Sequence, residues 1–290
     1  MSSPTEQGTV SNSTTIANSR RISYIRAFAG LLQRDLYVLR REIMPSIVRI
    51  VMNPLLFLFV FTYVMPHMTG GAAMNPTARM AAAGGGFGTV LLPGLMAVAI
   101  MFSGIAAVAL PLAQEFGITR EIDDRVMCPL PIAAVAAEKI VFSAMQGFIS
   151  AAIVFPLAYY IPTPRVVVHV TSWLFLIAVF TLSSLLAGAL GLTIGTSVQP
   201  KQIGLIFSVV VIPITFLGCV YYPWAALEHI KWLQYGVLIN PIVYMSEGLR
   251  ASLTPSMGHM PDAMILAMLL FFLALLTWIG MKGFRRRVVG

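Results

Sequence analysis

The residues of this chain that could do chemistry are gathered in one place. Glu115, Arg120, Glu121, Asp123, Asp124 and Arg125 lie close together, Pro129 and Pro131 follow, and Glu138–Lys139 closes the segment. Adjacent carboxylates such as Asp123–Asp124 can act as acid and base, or hold Mg²⁺. An aspartate-rich diphosphate site needs a second carboxylate pair elsewhere, and the sequence contains none. The better reading is a short amphiphilic helix bounded by Pro129. Its mixed charges suit docking to a soluble protein, where complementary charge sets the register.

Other chemistries lack their parts. A phosphate-binding loop of the Walker type needs Gly immediately before its Lys. Lys139, Lys201, Lys231 and Lys282 follow Glu138, Pro200, Ile230 and Met281. His67, His169, His229 and His259 are scattered, with no H-E-x-x-H, no G-x-S-x-G and no C-x-x-C pattern. Cys128 and Cys219 fall on opposite sides of the topology argued below, too far apart to pair, so neither a disulfide framework nor a Cys-based metal site is implied. The chain is expected to be no enzyme and to hold no metal or cofactor of its own.

The elements around the charged segment are apolar. Of the residues, 58% are hydrophobic and 10% charged, against ~25% charged in a soluble domain. Apolar runs at about 45–66, 89–114, 140–161, 170–195, 203–222 and 263–281 are each long enough to cross a hydrocarbon core of ~30 Å. Within these runs Arg49 is the one charge. The pattern predicts an all-α integral membrane protein of six transmembrane helices, with spans that carry no fixed charge for ion or proton coupling.

The basic residues fix an orientation. Arg20, Arg21, Arg26, Arg34, Arg40, Arg41, Arg49, Arg120, Arg125, Lys139, Lys201, Lys282, Arg285, Arg286 and Arg287 fall on one side of the six spans. Arg79, Arg165, Lys231 and Arg250 fall on the other. The positive-inside rule places the first group, and both termini, in the cytoplasm. The net charge of +8 is then a signal of topology and of attraction to anionic lipid, not of nucleic acid.

Outside the spans, residues 1–19 read as a disordered polar tail and 20–290 as one transmembrane domain. The tail has no apolar signal-peptide core, so the first span must act as the targeting segment. Between 20 and 43, Ile22, Ile25, Ala29, Leu32, Leu36, Leu39 and Ile43 share one helical face, and Arg26, Arg34, Arg40 and Arg41 occupy much of the rest. That predicts an amphipathic helix in the headgroup plane. Pro45 and Asn53–Pro54 predict a kinked first span. Gly70–Gly71 and Gly84–Gly85–Gly86 mark a flexible outer loop, while Gly84/Gly88 and Gly191/Gly195 have the spacing that lets helices approach closely. The stretch Leu233–Met245, broken at Asn240–Pro241, is too short to span and predicts an outer re-entrant helical hairpin between spans five and six, with an amphipathic interfacial loop as the alternative.

These residues resemble the ABC-2 type membrane subunits of ATP-binding cassette exporters over about 20–287. Three stretches carry the likeness: the basic amphipathic helix ending at Arg41; Gln114 to Arg125 followed by Pro129-Leu130-Pro131; and Phe216 to Pro223 with Leu233, Asn240–Pro241 and Glu247 to Arg250. The bacterial multidrug and lipo-oligosaccharide branch is the most similar. The resemblance implies that Glu115, Arg120, Glu121, Asp123, Asp124, Arg125 and Pro129 couple to an ATPase, and that Gly218, Tyr222, Pro223, Asn240 and Pro241 belong to an outer gate. It implies a dimer with a second permease copy or paralogue, a separate ATPase subunit carrying ATP and Mg²⁺, and a bacterial cytoplasmic membrane location.

The expected function is therefore a permease subunit that moves a hydrophobic or amphiphilic substrate (a drug, lipid or glycolipid) out of the cytoplasm. Phe57, Phe59, Phe61 and Tyr63 are candidates to line the path, although such residues more often face lipid or neighbouring helices. Two rivals belong to other classes. One is a polytopic enzyme acting on lipid-linked substrates, with the charged segment as its site. The other is a passive channel with a backbone-lined filter.

Overall fold

The computed structural model describes residues 24, 26–41, 87–116, 131–161, 166–256 and 258–289, with isolated positions between 44 and 64. The polar tail, most of the first span with Arg49 and the Asn53–Pro54 break, the glycine-rich loop, Cys128, and the segment holding Arg120, Glu121, Asp123, Asp124, Arg125 and Pro129 lie outside the described residues. So do Phe57, Phe61 and Tyr63, whereas Phe59 is exposed.

The described residues are helical throughout their ordered elements. Helix α1 covers 26–41. Among the described residues four helices are long and apolar enough to cross a membrane: α2, Phe87–Gln114; α3, Ile132–Tyr160; α4, Trp173–Ser197; and, last in the chain, Asp262–Val289. Between α4 and that last helix come α5, Ile203–Phe216, then α6, Lys231–Gly236, and α7, Pro241–Leu253. The final helix is α8. The chain is an all-α membrane protein, as its composition requires: inside a bilayer each helix satisfies its own backbone donors and acceptors.

Helix α2 is the centre of the bundle. Its apolar window is 78% buried, against 17% for α8, which leaves most of its surface open to lipid. Small residues let the helices close on α2. A side chain at Gly191 of α4 would meet the Ile105 carbonyl oxygen at 2.9 Å, and one at Gly195 would meet the Ala109 Cα at 3.2 Å. The small-residue spacing read from the sequence at 191 and 195 thus marks the α2–α4 seam. Interhelical hydrogen bonds reinforce the packing. Ser143 Oγ of α3 donates to the Gly104 carbonyl of α2 at 3.0 Å, and Thr193 Oγ1 of α4 donates to the Leu276 carbonyl of α8 at 3.0 Å.

Three expectations need correction. The third span begins at Ile132, not 140, so Glu138 and Lys139 are helical and buried instead of lying in a connection. Pro131, extended at the N-cap, sets that start. The fifth span is not a uniform helix over 203–222. It contains a π-helical stretch, Phe207–Val211, and stops at Phe216, followed by Cys219 at φ 52°. Pro213 removes a backbone donor just where the π turn relaxes into α-helix. In α1, Ala29 and Leu36 of the predicted apolar stripe are exposed, whereas Ala27, Leu31 and Asp35 turn toward the bundle. A buried ion pair at Asp35 selects that face.

Candidate coupling site

One end of the bundle collects the terminus of α2, the start of α3, the last turns of α4 and α8, and α1. Lys139 of α3 is 2% exposed. Its Nζ donates to Asp35 Oδ2 of α1 at 3.0 Å and to Glu115 Oε1 at the end of α2 at 3.2 Å. All three side chains are buried, so the ions attract one another with little screening by water. An apolar cluster lies beneath them, built from Val108, Leu112, Val135, Ala136, Ile140 and Phe284, with Ala27 and Leu31 of α1 packed on it. Glu138, next to Lys139, is also fully buried.

The same end holds a second set of contacts. Phe116 follows Glu115 in a π turn. Its ring stands edge-to-face with Phe284 at 6.0 Å, and the Arg287 guanidinium lies 5.2 Å from its centroid. Arg287 Nη2 also donates to the carbonyl of Val198, the C-cap of α4, at 2.8 Å.

The opposite end is tied by another buried pair. Arg250 Nη1 donates to Glu247 Oε1 on α7, and both side chains are fully buried. Glu247 further accepts from the backbone N–H of Trp224 at 3.0 Å and of Met260 at 3.3 Å. Arg250 Nη2 donates to the Cys219 carbonyl at 3.1 Å. This one pair therefore holds the non-helical turn after α5, the Trp224 segment and the lead into α8.

Of the candidates read from the sequence, Glu115 sits in the Lys139 cluster. Arg26, Arg34, Arg40 and Arg41 are exposed along α1. The five residues assigned to an outer gate each have their own contacts. Asn240 Nδ2 donates to the Ile214 carbonyl at 2.6 Å, while its Oδ1 caps α7 at Ile242 N, with Pro241 in the first turn. The Gly218 carbonyl accepts from Ser246 Oγ at 2.6 Å, Tyr222 Oη donates to the Phe216 carbonyl at 3.4 Å, and Pro223 is buried. Sequence reasoning missed Asp35 as a partner of Lys139 and Glu247 as a partner of Arg250. The i,i+3 spacing of Glu247 and Arg250 was the available signal for the second; nothing local announces the first.

The model of the family described as "ABC-2 type transporter" matches residues 26–254, from the first residue of α1 to the end of α7. The chain belongs to the ABC-2 type transporter family. It is a permease subunit of an ABC transporter, a multi-pass membrane protein of a family that generally works with an ABC ATPase. No curated protein matches the chain. In this ABC-2 subunit the matched region contains both ion clusters.

Proposed function

We propose that this subunit is the gate of an ATP-driven exporter, worked by a separate ATPase pair through the segment between Glu115 and Pro131. The observation that carries this reading is the buried Lys139 cluster. It ties α1, α2 and α3 together at both roots of that segment. A push on 117–130 is then delivered to three helices at once and not dissipated in a loose loop. Packed helices with close backbone contact respond to such a push by discrete repacking.

In this account the Lys139 end faces the cytoplasm of a bacterial cell, both termini are inside, and six helices cross the inner membrane. Arg120, Glu121, Asp123, Asp124 and Arg125 dock on the ATPase, while Arg26, Arg34, Arg40 and Arg41 hold α1 against anionic headgroups. A second permease copy or paralogue completes the path. ATP and Mg²⁺ bind the partner. The turn at Gly218–Pro223 and the Asn240–Pro241 corner move as the outer gate. Helices α2, α4 and α5 carry no Asp, Glu, Lys or Arg, which favours a neutral or amphiphilic cargo such as a drug or glycolipid over a multiply charged solute.

The test is reconstitution. The purified chain alone hydrolyses no ATP, addition of the cognate ATPase produces turnover, and charge reversal at Asp123 and Asp124 weakens assembly. Substantial ATP hydrolysis by the purified chain alone would overturn this reading.

A further inference from the structure

We infer that the last turn of α8 is a positioning clamp on residues 115–116 at the end of α2, with Arg287 as its key residue; this rests on the transport reading above. The sequence presents Arg285, Arg286 and Arg287 as one equivalent basic run, sufficient to explain as a topology signal. The structure separates them. Arg285 and Arg286 are exposed, whereas Arg287 turns inward. Its guanidinium spans two elements, lying 5.2 Å from the Phe116 ring centroid and donating to the Val198 carbonyl at 2.8 Å.

Each contact has its own physical basis. The Val198 carbonyl ends α4, where the helix dipole is negative and a cation is favoured. The planar guanidinium can stack on a ring and donate a hydrogen bond at the same time, which an ammonium cannot match. Phe284, one turn earlier and 1% exposed, meets the same ring at its edge.

The position of Phe116 gives the clamp its consequence. The neighbouring Glu115 is bound by Lys139, which also holds Asp35. Residues 115 and 116 are therefore gripped from both sides: by α1 and α3 through the ion cluster, and by α4 and α8 through Arg287 and Phe284. They form a π turn, a geometry that recurs at functional points in helices. Displacement of the segment reaches α2 through this turn. The clamp makes α4 and α8 move with it.

The experiment uses the full complex with its ATPase in nanodiscs, comparing wild type, R287Q and F284L. Three quantities are read: ATPase recruitment, ATP hydrolysis, and the change in hydrogen exchange of residues 217–240 between the nucleotide-free and vanadate-trapped states. Both variants are expected to recruit the ATPase and to hydrolyse ATP. Their nucleotide-dependent change at 217–240 should fall about five-fold, the scale of one lost cation–π or aromatic-pair contact. An unaltered change in both variants overturns the clamp while leaving the transport reading intact. Loss of ATPase recruitment by both makes the clamp a folding element only and also overturns it. Failure of the wild-type chain to recruit an ATPase overturns the transport reading, and the clamp with it.

Discussion

Lys139 Nζ lies 3.0 Å from Asp35 Oδ2, although the two residues are 104 positions apart and on different helices. With Glu115 at 3.2 Å, the ammonium is shared between two buried carboxylates. Removing it takes a buried cation from both. Lys139→Met should therefore cost about 3 kcal/mol or more of stability. Asp35→Asn should cost less, because Glu115 remains. The combined variant should be less destabilised than the sum of the two, by about 1 kcal/mol or more. Thermal unfolding of the four proteins in one detergent measures this; additive losses would show that the pair is not energetically coupled.

Gly94 controls the turn after α5. A Cβ there would lie 1.9 Å from the Val220 carbonyl oxygen and 2.6 Å from the Val220 carbonyl carbon, both backbone atoms that no rotamer change can relieve. Gly94→Ala must displace residues 218–220. Cys219 reports the displacement, because its side chain is fully buried in the native packing. Wild-type protein should leave this thiol unlabelled by a maleimide, and Gly94→Ala should label it readily. Equal, slow labelling in both would mean that α2 does not press on the turn.

The Glu247–Arg250 pair calls for a different experiment. Replacing a buried ion pair by apolar residues of similar volume is often neutral. Here it should not be, because Glu247 also accepts from Trp224 N and Met260 N. The double variant Glu247→Met/Arg250→Met leaves those two N–H groups without their acceptor, at about 1–3 kcal/mol each. Hydrogen exchange should show 217–262 losing protection while α2, α3 and α4 keep theirs. A double variant as protected as wild type would assign the hydrogen bonds no weight.

Much of this architecture is legible in the sequence, for reasons the structure makes plain. The apolar runs at 89–114, 170–195 and 263–281 correspond to α2, α4 and α8. Hydrophobicity alone distinguishes a lipid-embedded helix, and here little competes with it. The signal fails where a charge is neutralised by a distant residue. Glu138–Lys139 reads as the edge of a span, yet α3 begins at Ile132, because Asp35 and Glu115 make burial of Lys139 tolerable. It fails again after Phe216, where residues 217–222 stay apolar but the chain turns through Cys219. The Asn240–Pro241 break was readable, because a capping side chain followed by proline at the first helical position is a local signature. The rotation of α1 was not: its register is set by one ion pair to a helix far along the chain.

The central claim is that the charged segment after α2 is where a cytoplasmic motor engages this membrane subunit. Sidedness tests it most directly. Glu121→Cys is introduced with Cys128→Ser, leaving the buried Cys219 in place, and intact cells are treated with membrane-impermeant or permeant maleimide. The account predicts labelling at 121 by the permeant reagent and none by the impermeant one until the cells are opened. Labelling by the impermeant reagent in intact cells would put the segment outside and contradict the account.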